Sequence, residues 1–198
     1  LIMGMIKLPL EAIRKFETYY PEIFASGNLA EGKWNKALAE FFVRYTEITH
    51  AVPFNSNGSG LLAILMLLRK HRGYKTVFVQ SNTMYGVKTL SITSGLEFLG
   101  TVPCALTTLM PTAAEVSKFV SAIPSPQESV FVMSHIGGIV NPESEEIADI
   151  CRKNGVAFVE DCAHSLGATL RGRHTGSFGV AGVYSLYATK AIAAGEGG

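Results

Sequence analysis

Apolar positions along the chain follow two alternating periods. Spacings of three and four residues predict helices over Glu11–Tyr20 and Lys33–Tyr45, the second with Trp34, Leu38, Phe41 and Phe42 at helical intervals. Gly58–Lys70 is apolar nearly all round, through Leu61, Leu62, Ile64, Leu65, Leu67 and Leu68, as in a helix covered on several sides. Further helices are predicted over Met84–Ser94, stopped by Gly95, and over Ala113–Ala122. Another spans Pro142–Asn154, opened by Asn141 with proline at its first position and closed by Gly155. Short apolar runs between them predict strands at His50–Phe54, Val77–Gln80, Glu97–Val102, Val130–Ser134, Val156–Glu160 and Gly182–Tyr187. This alternation defines the fold class: α/β, a mostly parallel sheet with helices on both faces. Ligands in such folds bind at the carboxyl ends of the strands. Chemistry is therefore expected just past each strand, at Asn55–Gly60, Ser81–Tyr85, Ser134–Gly138, Asp161–His164 and Ser185–Lys190.

The 198 residues suffice for one domain with a sizeable core. It divides into an N-terminal helical segment, residues 1–25, and a sheet-building part, residues 26–198. A net charge of +1 offers no basic surface for nucleic acid or an anionic membrane. The longest apolar run, Leu61–Leu68, is too short to cross a bilayer, and the first residues lack the basic-then-apolar order of a secretory signal. Cys104, Cys151 and Cys162 are odd in number and form no CxxC pair. They read as reduced thiols of a cytoplasmic protein, not as a disulfide framework or a zinc site.

Three of the strand ends carry residues with chemical potential. In FNSNGSGLLAIL a strand runs into Asn57-Gly58-Ser59-Gly60 and a helix follows at once. Free amides and the helix dipole make such a turn an anion site, though a tight turn capped by Ser59 needs the same residues. The spacing is not that of a P-loop. In VAFVEDCAHSLGA, Asp161 follows a wholly apolar strand, so it is either the partner of a cation or the cap of the next turn, with His164 three residues on. In VYSLYATK, Ser185 lies on a strand and Lys190 follows among small and apolar residues. Lys190 is then either a desolvated amine nucleophile or an ordinary surface lysine. A phosphate cradle, a buried carboxylate and a nucleophilic lysine at neighbouring strand ends together fit one cofactor, pyridoxal 5'-phosphate.

The ordered stretches SGNLAEGK, NSNGSGLLA, SNT, SHIGG, VEDCAHSLGA, GSFG and YSLYATKAIAAGEGG resemble the DegT/StrS-type sugar aminotransferases, pyridoxal-phosphate enzymes of the aspartate aminotransferase fold. The resemblance runs from about Ser26 to Gly198. It implies that Lys190 is the catalytic lysine that bonds the cofactor, that Asp161 partners the pyridine nitrogen, and that His164 lies by the ring hydroxyl. It implies phosphate contacts from Gly58, Ser59, Ser185 and, where the family often has alanine, Gly60. The family places an aromatic over the ring face after its SxT motif. Here Ser81-Asn82-Thr83 is followed by Met84 and then Tyr85, a departure that leaves three readings: Met84 covers the ring, Tyr85 substitutes for the aromatic, or cofactor binding is altered.

The implied reaction moves an amino group from a donor such as glutamate to a nucleotide-linked keto-sugar. The alternatives are a sugar dehydratase or other lyase, whose members carry histidine in place of Lys190, and a non-catalytic binding or regulatory relative. The resemblance also implies a homodimer and a chain that continues into a smaller C-terminal domain. On that reading the sequence is part of the large domain, with cofactor held weakly or not at all and the tail Gly195–Gly198 poorly ordered.

Overall fold

The sheet is built by strands whose two faces are both apolar, and it is described by a computed structural model covering residues 7–198. Residues 1–6 of the expected N-terminal segment lie outside the described residues. Strands β1 (Thr76–Gln80), β2 (Glu97–Val102), β3 (Ser129–Ser134), β4 (Ala157–Cys162) and β7 (Ala181–Tyr184) form one sheet in the order β2-β1-β3-β4-β7. Every neighbouring pair is parallel. A two-residue hairpin, β5 (Thr169–Leu170) with β6 (Arg173–His174), stands apart from the sheet.

The pleat sends alternate residues to opposite faces. Val77, Val79, Val130, Val132, Ala157, Val159 and Val183 meet helices α3 (Asn57–Arg72) and α4 (Tyr85–Thr93) through Leu61, Leu65, Leu68 and Val87. Phe78, Phe131, Met133 and Phe158 meet α5 (Ala113–Ala122) and α6 (Ser144–Lys153) through Val116, Val120, Ile147 and Cys151 on the other face. The expected α/β class with helices on both faces is thus observed. Helix α2 (Lys33–Thr46) adds a smaller cluster of Phe42, Cys162, Tyr184 and Leu186.

Helix α1 (Leu10–Ser26) runs six residues beyond the predicted end at Tyr20 and contains Pro21. None of its described residues is buried, and it displays Phe16, Tyr19, Tyr20 and Phe24 to solvent. No helix among the described residues is long and apolar enough to cross a membrane.

The predicted strand His50–Phe54 does not form. That stretch pairs with no strand among the described residues and makes only a reciprocal backbone pair outside the sheet, Phe54 N to Gly198 O (2.8 Å) and Gly198 N to Phe54 O (3.0 Å). Strand β7 is shorter than predicted because Leu186 turns its amide to Gly197 O (2.9 Å) instead of to β4. Helix α6 begins two residues later than predicted, since the Asn141 side chain accepts from the Glu143 amide (2.9 Å) and holds Pro142 in a turn. The cap of α3 is Ser56, not Ser59: Ser56 Oγ accepts from the Ser59 amide (3.1 Å) and meets Ser59 Oγ at 3.0 Å.

Candidate active site

Asp161 stands near the carboxyl end of β4, on the face covered by α3, and is 5% exposed. Its Oδ1 accepts from Asn57 Nδ2 (3.1 Å) and from the Ala163 amide (3.1 Å), and its Oδ2 accepts from Ser134 Oγ (3.0 Å). It receives three hydrogen bonds, as a carboxylate does. Each donor is itself fixed. Asn57, in the first turn of α3, also donates to Val183 O (3.0 Å) and so spans β4 and β7. Ser134 lies opposite Asp161 in the β3–β4 register. Because its hydroxyl proton goes to Asp161, the 2.7 Å contact with Thr83 Oγ1 must be a donation from Thr83. Gln80 holds the Ser134 backbone from both sides, accepting from its amide and donating to its carbonyl, each at 3.0 Å.

His164 is exposed on the following loop, and its Nδ1 accepts from the Gly137 amide (3.2 Å). This places the SHIGG turn against the AHS loop, and the closeness explains a glycine. A Cβ on Gly138, whose φ is +79°, would lie 2.9 Å from the His164 carbonyl oxygen.

Lys190 is half-buried on the loop after β7, with its amide donating to Tyr187 O (2.9 Å). The tail does not hang free, contrary to the expectation for Gly195–Gly198. Ala188 donates to Gly195 O (3.0 Å), Ala194 to Leu186 O (2.8 Å), and Gly198 pairs with Phe54. The tail therefore braces the Lys190 loop and carries Glu196 and Gly197 to the site.

These elements enclose a cleft of about 340 Å³ at the carboxyl ends of the strands. Gly58, Met84, Asp161, His164, Ser185 and Lys190 all line it. Three of the expected residues do not. Ser59 is engaged with Ser56 at the helix cap. Gly60 turns the other way: its amide donates to Ser56 O, and a Cβ there would meet Val183 Cγ1 at 3.0 Å. Tyr85 is 76% exposed and outside the cleft, so of the two only Met84, 62% exposed, lines it. A larger apolar groove of about 1120 Å³ runs between α2, α3 and the free edge of β7, and Gly60 alone of the expected residues borders it.

The first amides of α3 are left without intrahelical partners by helix geometry, and Ser56 satisfies only that of Ser59. Asn57 and Gly58, whose amides this leaves open, line the same cleft as Ser185, and such helix-start amides suit an anion. The cleft thereby offers an anion cradle, a fixed carboxylate and a primary amine, which are the donor set pyridoxal 5'-phosphate requires.

Sequence reasoning placed Asn57, Thr83 and Ser134 in the right stretches but gave them no role. Their signal is the burial of short polar side chains at a helix start and a strand end, which only the β3–β4 register reveals. Cys162 and Cys151 are buried and unreactive in character: burial pushes the Cys151 thiol up to about 12 and the Cys162 thiol well above its ordinary range, with Glu160 and Asp161 adding to the latter.

A model of the DegT/DnrJ/EryC1/StrS aminotransferase family matches residues 12–198. The aminotransferase TlmJ from Streptoalloteichus hindustanus is similar at 29% identity and a TM-score of 0.76, over 98% of this chain and 52% of that one. The putative sugar aminotransferase Spr1654 from Streptococcus pneumoniae, in its PMP form, shares the fold at 21% identity and a TM-score of 0.83, over 100% and 50%. PseC from Helicobacter pylori, an aminotransferase of pseudoaminic acid biosynthesis, shares it at 21% identity and a TM-score of 0.74, over 84% and 43%. The chain thus spans about half the length of the solved structures it matches.

Proposed function

Since the chain belongs to the DegT/DnrJ/EryC1/StrS aminotransferase family, we propose that its cleft holds pyridoxal 5'-phosphate and serves amino-group transfer from a donor such as glutamate to a nucleotide-linked keto-sugar. The observation that carries this is the meeting, in one cleft, of the Lys190 amine and the three-times-bonded Asp161 carboxylate below the start of α3. When bound, the cofactor supplies an electron-withdrawing ring that takes up charge from the reacting carbon. The protein's part is to place and hold. Asp161, fixed by its three donors, would hold the pyridine nitrogen and favour its protonated form. The amides of Asn57 and Gly58 with the Ser185 hydroxyl receive the phosphate, and Ser59 acts behind them by steadying Ser56. His164 would stand by the ring hydroxyl and Met84 would cover the ring face, both residues lining the cleft.

The Lys190 amine is the group that would bond the cofactor's aldehyde and, when free, would hold and move a proton at the reacting carbon. The lysine supports transamination over the dehydratase reading, in which histidine takes its place. We further propose a cytoplasmic homodimer with no nucleic-acid or membrane partner; the exposed aromatic row on α1 supports self-association. Borohydride reduction in the presence of pyridoxal 5'-phosphate, followed by peptide mapping, should fix the label on Lys190. A label on Lys88 or Lys153, or one spread over all lysines, would refute this assignment.

A further inference from the structure

Beside Asp161, but on the opposite face of β4, lies a second carboxylate that the proposed chemistry does not use. Glu160 is fully buried, and all of its acceptor capacity is taken. Oε1 accepts from the amides of Phe178 (2.7 Å) and Gly179 (2.9 Å). Oε2 accepts from the Gly176 amide (2.9 Å) and contacts His135 Nε2 at 2.9 Å. His135 is also fully shielded, and its Nδ1 accepts from the Asn141 amide (3.3 Å), so the proton sits on Nε2 and is donated to Glu160. Cys162 completes a group of potential metal ligands. Glu160 has no lone pair to spare and the thiol is held protonated by burial, so the group is not a metal site.

The carboxylate ties together three of the sequence stretches noted above: SHIGG through His135, VEDCAHSLGA through itself, and GSFG through its backbone amides. The GSFG turn feeds directly into β7. Its last residue approaches β4 so closely that a Cβ on Gly179 would fall 2.1 Å from the Phe158 carbonyl oxygen. The next amide, of Val180, donates to that same oxygen at 2.7 Å. From there the register runs Glu160 with Gly182, Asp161 with Val183, and Cys162 with Tyr184. Strand β7 then delivers Ser185 and the Lys190 loop. A slip of one residue would turn each side chain of β7 to the other face.

We propose that Glu160 is a positioning residue: by clamping the Gly176–Gly179 turn it sets the register of β7 on β4, and so sets Ser185 and Lys190 against Asp161. This rests on the reading of the cleft as a pyridoxal-phosphate site. Glu160→Gln tests it, because a glutamine keeps size but offers one acceptor oxygen where four donors converge, leaving at least one amide without a partner.

Two readouts separate the inference from the reading beneath it. Hydrogen exchange, which needs no cofactor, should quicken at least roughly tenfold at Gly176, Phe178, Gly179 and along β7, with β1 and β3 unchanged. Borohydride labelling with pyridoxal 5'-phosphate should lose its preference for Lys190 over Lys88 and Lys153 by a similar factor, while circular dichroism shows the variant folded. Unchanged β7 exchange, or unchanged Lys190 selectivity in a folded variant, overturns the positioning role. Should wild type itself show no preference for Lys190, the cofactor reading falls and the exchange arm alone decides. If Glu160→Gln does not fold, Glu160→Asp, which keeps the charge on a shorter arm, should show the same two effects in smaller measure, and wild-type values there overturn the proposal.

Discussion

Replacing Asp161 by asparagine and by alanine separates its structural role from its chemical one. In Asp161→Asn the amide oxygen can still accept from Asn57 and Ala163, and the new amide nitrogen can donate to Ser134 Oγ. The Ser134 hydroxyl then turns to donate to Thr83, 2.7 Å away. The network reverses one bond and keeps each of the carboxylate's partners, with one amide N–H left over. The cost is that of charged hydrogen bonds becoming neutral, about 1–2 kcal/mol after the gain from no longer burying a charge. In Asp161→Ala, Asn57 keeps Val183 O and Ser134 keeps Thr83, but the Ala163 amide is orphaned. The orphaned amide is only partly buried, so its cost lies toward the lower end of about 1–3 kcal/mol, and the void left by the carboxylate adds to it. Urea unfolding should therefore rank wild type above Asp161→Asn, and Asp161→Asn above Asp161→Ala, with unchanged m-values.

Cofactor affinity should follow a different order. On the proposed reading, both variants lose the anionic partner of the pyridine nitrogen. If that contact is worth about 1.5–3 kcal/mol, pyridoxal 5'-phosphate should bind each roughly 10–150-fold more weakly, by absorbance titration. Equal stability of the two variants would refute the reversible network. Wild-type affinity in Asp161→Asn would refute the pairing with the ring nitrogen.

Two further outcomes follow from the same bonds. Asn57→Ala removes one of the three donors to Asp161 and the tie from α3 to Val183, and should cost about 1.5–3 kcal/mol in urea unfolding; a loss below about 0.5 kcal/mol would show that the span across β4 and β7 carries no weight. The buried thiols predict alkaline sensitivity: the folded state holds the Cys151 proton up to about 12 against an ordinary value of 9.0, so unfolding releases it and stability should fall as pH rises from about 9 toward 12. Urea midpoints across that range should fall less in Cys151→Ala, and a thiol reagent at neutral pH should modify the partly exposed Cys104 while sparing Cys151 and Cys162 until denaturation.

The sheet was legible because apolar runs bounded by glycine and proline leave few alternatives, and β1, β2 and β3 start and end within one residue of their expected limits. The cleft was legible where single residues announce themselves, as Asp161 and Lys190 do. What the sequence concealed depends on partners distant along the chain. The hydroxyl of Ser134 gains meaning only from its register with Asp161, 27 residues on. His50–Phe54 looks like a strand by local propensity, yet it finds only the glycine tail to pair with, because β7 is capped by that tail at Leu186. Gly60 resembles a cradle glycine in its spacing, but the turn of α3 aims it at Val183.

Glu160 and Asp161 are consecutive, and the pleat sets them on opposite sides of the sheet, one in the cleft and one in the seam with the GSFG turn. β4 thereby divides its labour by parity. At its end Asp161 borders the cleft, while Glu160 is spent on the turn that starts β7. A change at Asp161 therefore reaches the cleft first, and a change at Glu160 reaches the joint between two strands, although the two side chains are neighbours in the chain.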